Sequence, residues 1–305
     1  MPLSFASIIV FANKVGRGGG RRPFGTNARV RRHFAGKQLH LAASPPNQTA
    51  KGRRSMFKYA NPTHFLVLAG RLIPWLAGAT ALALVVGLAL TFFVAPDDYQ
   101  QGGSVKIMYV HVPSAWLGMM GYMVMTCAAL GTLVWRHPLA DAAQKAAAPL
   151  GAAFTLLCLV TGSLWGKPMW GTWWVWDARL TSVLVLFLIY LGLIGLWRTI
   201  EEPSQAARAA AILTLVGVVN IPIIKFSVDW WNTLHQPASV FKLGGPAISG
   251  SMLWPLLVMA LAFTLLFLTL HLMEVRNEIL RRRLRRLSIL AASAEDPEFL
   301  AEAAP

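Results

Sequence analysis

The chain has 305 residues, of which 55% are hydrophobic and only 13% charged, about half the charged share of an ordinary soluble protein. That composition, with a mean hydropathy of +0.52, excludes a water-soluble globule and leaves a membrane protein. The formal charge of +15 would suggest nucleic acid in a soluble chain, but 11 of the 28 Lys and Arg lie in residues 1–55, which hold no Asp or Glu, while residues 56–273 carry 11 basic against 7 acidic side chains.

Residues 1–55 are rich in Gly, Arg and small polar residues, and their one apolar stretch, 3–12, is too short to cross a bilayer. The segment reads as a basic extension outside the folded domain. It is a disordered tail drawn to anionic lipid, an Arg-rich transit segment, or sequence upstream of a start at Met56, which stands immediately before the apolar body. It carries no recognisable folded module, so no nucleic-acid partner is expected.

A bilayer-crossing helix needs about 20 predominantly apolar residues, and six segments reach that scale: 72–94, 112–134, 146–164, 180–197, 209–226 and 251–273. Short connections containing Pro, Gly, Asn and Asp separate them. The expected fold is therefore an all-α, polytopic membrane protein with six transmembrane helices. If both termini are cytoplasmic, the cytoplasmic side carries 12 Lys and Arg against 5 outside, leaving out the basic tail, which is the positive-inside arrangement. Arg281, Arg282, Arg283, Arg285 and Arg286 follow the last segment and read as its anchor on anionic lipid. Residues 287–305 read as a cytoplasmic tail. Cys127 and Cys158 each sit in an apolar run with no CxxC, so neither a disulfide framework nor covalent c-type haem attachment is indicated.

This orientation puts three loops outside, at about 95–111, 165–179 and 225–250, and nine of the twelve tryptophans on or near that side. An interfacial belt accounts for scattered indoles, but not for Trp165, Trp170, Trp173, Trp174 and Trp176 within twelve residues of one loop. If that loop is helical, Trp170, Trp173, Trp174 and Asp177 share a face at i, i+3, i+4 and i+7. Such a platform suits a flat, polarisable ligand. Asp177 also reads as the N-cap of the fourth segment. His111 and His235 frame the loop from the flanking outer segments, and a neutral imidazole on each face of a planar macrocycle is an ordinary way to hold six-coordinate haem iron. Lys106, Lys167, Arg179, Lys225 and Lys242 are the outer cations available to haem propionates. For Arg179, pairing with Asp177 or with lipid headgroups is the alternative. Asn220-Ile-Pro222 interrupts the fifth segment as a packing kink, in preference to a chamber lining.

The run Trp170-Gly-Thr-Trp173-Trp174-Val-Trp176-Asp177-Ala-Arg179-Leu-Thr181 resembles the signature of WWD-type haem-handling membrane proteins. The flanking Tyr109-Val-His111-Val-Pro113 and Trp230-Trp-Asn-Thr-Leu-His235-Gln236 narrow the resemblance to the haem exporter protein C family, CcmC, of cytochrome c maturation, over about residues 57–286. The resemblance implies a six-helix haem-handling domain at 56–286 in the bacterial inner membrane. Mitochondrial members of the family also exist. In this family the haem site faces the periplasm, and the axial ligands match His111 and His235. It further implies haem b as transferred cargo rather than a resident cofactor, delivery to the haem chaperone CcmE, and work alongside the transporter subunits CcmA and CcmB and the small membrane protein CcmD. On that reading the chain is a delivery protein and not an enzyme. The competing functions are a haem lyase acting on apocytochrome c, a haem-translocating permease subunit, or a redox protein with a resident b-type haem.

Overall fold

The computed structural model describes residues 61–294 except 138, 237, 238, 241 and 243. The expectations for residues 1–55 and for residues 295–305 lie outside the described residues. Seven α-helices make up the described body: α1 (Pro62–Ala89), α2 (Met108–Trp135), α3 (Ala140–Trp170), α4 (Ala178–Thr199), α5 (Pro203–Gly217), α6 (Asn220–Trp230) and α7 (Gly250–Ala294). A short π segment (Leu90–Val94) extends α1, and a 3-10 turn (Gly103–Ile107) leads into α2. Together they form six spans long and apolar enough to cross a membrane, the fifth shared by α5 and α6. The chain is an all-α, multi-pass membrane protein.

Sequence signals set the helix starts. Asn61 accepts from the Thr63 amide with Pro62 in the first turn. Glu202 accepts from the Ser204 and Gln205 amides ahead of Pro203. Each motif satisfies amides that a helix start leaves unpaired. The helices are longer than the apolar segments because interfacial residues continue the hydrogen-bonded ladder beyond the hydrocarbon core. α7 shows this most clearly. Its 45 residues extend about 67 Å at 1.5 Å per residue, more than twice the roughly 30 Å apolar layer. The part beyond residue 273 is braced to α3: Glu278 accepts from Lys145 at 3.0 Å and Arg282 at 2.9 Å, and Arg282 reaches Asp141 at 2.7 Å.

α3 is the central helix. Ala142, Ala146, Ala147, Ala148 and Ala152 are buried along it, and these small side chains let α2, α4 and α7 approach closely. Tyr190 of α4 lies over Gly151, where any Cβ would overlap the phenol ring, and its hydroxyl donates to the Gly118 carbonyl of α2 at 2.8 Å. The fifth span breaks between Gly217 and Asn220. Pro222 has no N–H to offer the Val218 carbonyl, which accepts instead from Ile221 at 3.0 Å. Asn220 Nδ2 donates to the Ser182 carbonyl of α4 at 2.9 Å, so the interruption is a packing kink, as expected from the sequence. These junctions bring the α2 start, the α3 end, the α4 start and the α6 end to one end of the bundle.

Candidate functional site

His111 sits in the first turn of α2, only 8% exposed. Its Nδ1 lies 3.1 Å from the Cys158 carbonyl and 3.1 Å from Thr161 Oγ1, both on α3. A carbonyl can only accept, so Nδ1 carries the proton and Nε2 keeps its lone pair; the Thr161 hydroxyl, donating to Leu157 O at 2.6 Å, is left free to accept as well. Gly162 makes the approach possible, since a Cβ there would come within 2.9 Å of His111 Cε1. The ring meets Trp165 edge-on at 5.7 Å.

His235 comes from the connection between α6 and α7. Its ring centroid is 6.4 Å from that of His111, with 21° between the planes, and Trp170 meets it edge-on at 5.4 Å. Burial, and after it the Arg179 charge, lowers its pKa from the ordinary 6.5 to about 4 against the opposing pull of Asp177. The imidazole is therefore neutral at pH 7, the form that ligates metal.

The two histidines stand in the common wall of two cavities. One, about 220 Å³, runs along α2, α3, α4 and α6 past Gly118, Thr155, Trp174 and Leu186. The other, about 320 Å³, lies toward Gln101, Trp165, Leu234 and Leu256. Trp170, Arg179 and Lys225 line both. No cluster of three or more His, Cys, Asp or Glu that could hold a metal ion occurs among the described residues. Two imidazoles with ring centres 6.4 Å apart line a mainly apolar double chamber. That donor pair fits an iron whose remaining four ligands arrive with a planar macrocycle.

The tryptophan run departs from the helical expectation. α3 continues through Trp165 and Trp170 and stops at Gly171, whose φ of 74° places it in the left-handed region; residues 171–177 are non-helical. Trp170, Trp173, Trp174 and Asp177 thus share no helix face. Trp165, Trp170 and Trp174 line the cavities, whereas Trp173 and Trp176 are 56% and 75% exposed and line neither cavity. Asp177 is the expected N-cap of α4, with Oδ1 accepting from the Leu180 amide at 2.7 Å. Its second oxygen accepts from the Thr233 hydroxyl.

Arg179 forms no ion pair with Asp177 among the described residues. Its guanidinium donates to Ser227 Oγ at 3.1 Å and to the Ile224 and Lys225 carbonyls at 3.2 Å each, tying the middle of α6 to α4. Of the other outer cations, Lys106 pairs with Asp97 at 3.2 Å, Lys167 donates to the Gly171 carbonyl, and Lys242 is exposed. Sequence reasoning missed Cys158, whose backbone oxygen carries the interaction, and Gln101, which accepts from Trp165 Nε1 at 2.8 Å. It also missed Thr233, for which the spacing to His235 was the one available hint.

The Heme exporter protein C family model matches residues 55–290, nearly the whole described body. The chain belongs to the Heme exporter protein C family. A Heme exporter protein C from Bradyrhizobium diazoefficiens is 67% identical over 239 residues, covering 78% of this chain and 90% of the relative. The Escherichia coli K12 relative of the same name is 49% identical over 234 residues, covering 76% of this chain and 94% of its own length. That of Paracoccus denitrificans is 44% identical over 234 residues, covering 76% and 97%.

Proposed function

We propose that this protein holds haem between His111 and His235 at the periplasmic face of the bacterial inner membrane and hands it to the haem chaperone CcmE. Family membership supports a role in haem handling for cytochrome c maturation. The observation that carries the finer reading is the imidazole pair. Two metal–nitrogen bonds of about 2 Å, with about 1 Å from each coordinating nitrogen to its ring centre, separate two axial rings by about 6 Å. His111 and His235 stand 6.4 Å apart. His111 keeps Nε2 free because Nδ1 is committed to α3, an arrangement that fixes ring and tautomer for a metal.

A macrocycle between the rings extends into the cavities on their shared wall, where Trp170, Trp165 and Trp174 offer apolar faces. Arg179 and Lys225, lining both cavities, are the cations suited to the propionates. The exposed Trp173 and Trp176 flank the site on the surface a chaperone meets. The excess of Lys and Arg at the opposite end, including the Arg281–Arg286 cluster, supports the periplasmic orientation and contact with the anionic inner leaflet. The cargo is haem b. CcmA, CcmB and CcmD are the partners that the resemblance implies.

Haem-loaded protein mixed with purified CcmE tests delivery. Haem recovered on CcmE from the wild type, and not from the His111→Ala/His235→Ala double variant, is the expected outcome. Equal recovery from both contradicts the proposal.

A further inference from the structure

The two histidines are held in unequal ways. His111 belongs to a buried helix turn and is fastened to α3 by two contacts through its ring. His235 makes no side-chain hydrogen bond among the described residues, and it lies in the long connection between α6 and α7. Its backbone supplies the anchor: the His235 amide donates to Thr233 Oγ1 at 3.1 Å, a local turn in which a hydroxyl accepts from the amide two residues on. The same hydroxyl donates its proton to Asp177 Oδ2. Asp177 is buried and fixed to α4 through its other oxygen.

We infer that Thr233 is a positioning residue that latches His235 to Asp177 of the tryptophan loop, making His235 the releasable member of the histidine pair. This inference rests on the proposed haem site and deepens it. Thr233 has a hydroxyl that must both donate and accept; Ser can do both, and Val, of nearly the same shape, can do neither. The tether also joins two surface segments. Asp177 directly follows the exposed Trp176, while Thr233 follows the exposed Trp230 and Trp231 by two to three residues. A partner pressing on either segment acts on the one hydroxyl between them, and His235 moves while His111 stays fixed to α3.

The test compares wild type, Thr233→Val and Thr233→Ser in detergent by two measurements. In the haem-free protein, hydrogen exchange at the His235 amide reports the latch directly. We expect exchange at least tenfold faster in Thr233→Val and close to wild type in Thr233→Ser. In the protein loaded with ferric haem, Thr233→Val shifts the absorption spectrum from low-spin toward high-spin, and added imidazole restores the low-spin form, because one ligand position has been vacated. Unchanged exchange in Thr233→Val, or an effect equally large in Thr233→Ser, overturns the latch. If the wild type shows no low-spin haem, the proposed site fails, and the exchange measurement still decides the role of Thr233.

Discussion

Replacing Gly162 by Ala tests how tightly His111 is held. The added Cβ would stand 2.9 Å from His111 Cε1 and 3.5 Å from Nδ1, where ordinary contact begins near 3.4 Å. The ring must retreat by about half an ångström, which stretches its 3.1 Å contacts to Cys158 and Thr161 past good hydrogen-bonding range, about 3.2 Å at the outer end. Overpacking of this kind costs about 1–3 kcal/mol, and the lost hydrogen bond about 1 kcal/mol more. If it falls wholly on haem binding, the sum of about 2–4 kcal/mol weakens affinity roughly 30- to 700-fold. Absorbance titration of the detergent-solubilised protein with haem measures it. Gly192→Ala serves as control, since nothing lies within 4 Å of its added Cβ. A Gly162→Ala variant that binds haem within about threefold of wild type, with an unchanged spectrum, refutes the tight seating of His111 against α3.

The tryptophans should separate by position. Trp170→Ala or Trp174→Ala removes a cavity wall and weakens haem binding by about tenfold or more in the same titration, the loss expected from at least 1.4 kcal/mol of aromatic contact; Trp176→Ala, 75% exposed, leaves affinity nearly unchanged. Because the folded state lowers the His235 pKa from 6.5 to about 4, its contribution to stability is complete above pH 6.5 and is lost as pH falls from 6.5 toward 4, where the unfolded chain takes the proton first. About 3 kcal/mol goes with it, at about 1.4 kcal/mol per pH unit, so thermal unfolding of haem-free wild type falls more steeply in that window than that of His235→Gln. At the other end of the bundle, Glu278→Gln leaves Lys145 and Arg282 without their shared carboxylate. With both partners over a third exposed, the loss is about 1–2 kcal/mol, visible as a lower melting temperature with an unaltered haem spectrum.

The six spans were legible because a bilayer imposes a length and an apolar composition on any helix that crosses it. Their ends were not, because hydropathy falls at the interface while the hydrogen-bonded ladder continues; α7 runs 21 residues beyond its apolar segment, to Ala294. The chemistry of His111 and His235 was visible in the residue types and their shared side. What fixes His111 was invisible, since a backbone carbonyl such as that of Cys158 leaves no mark on the sequence. The tryptophan run misled as a helix because Gly171, which adopts the left-handed conformation, ends α3 inside it. Beyond that glycine no helical period assigns directions to side chains, so only the folded loop separates cavity-lining Trp174 from outward Trp173. Arg179 read as a propionate partner or an ion-pair partner of Asp177. The Ile224 and Lys225 carbonyls of α6 to which it also donates lie 45 and 46 positions away in the sequence.

The most direct measurement is the ferric-haem spectrum, by absorption and resonance Raman, of the wild type, His111→Ala, His235→Ala and the double variant, each with and without added imidazole. Facing ligands at His111 and His235 predict a six-coordinate, low-spin wild type. Each single variant becomes high-spin and returns to low-spin when imidazole fills the vacant position, and the double variant loses the native low-spin signature. A wild-type low-spin spectrum persisting in the double variant contradicts the account.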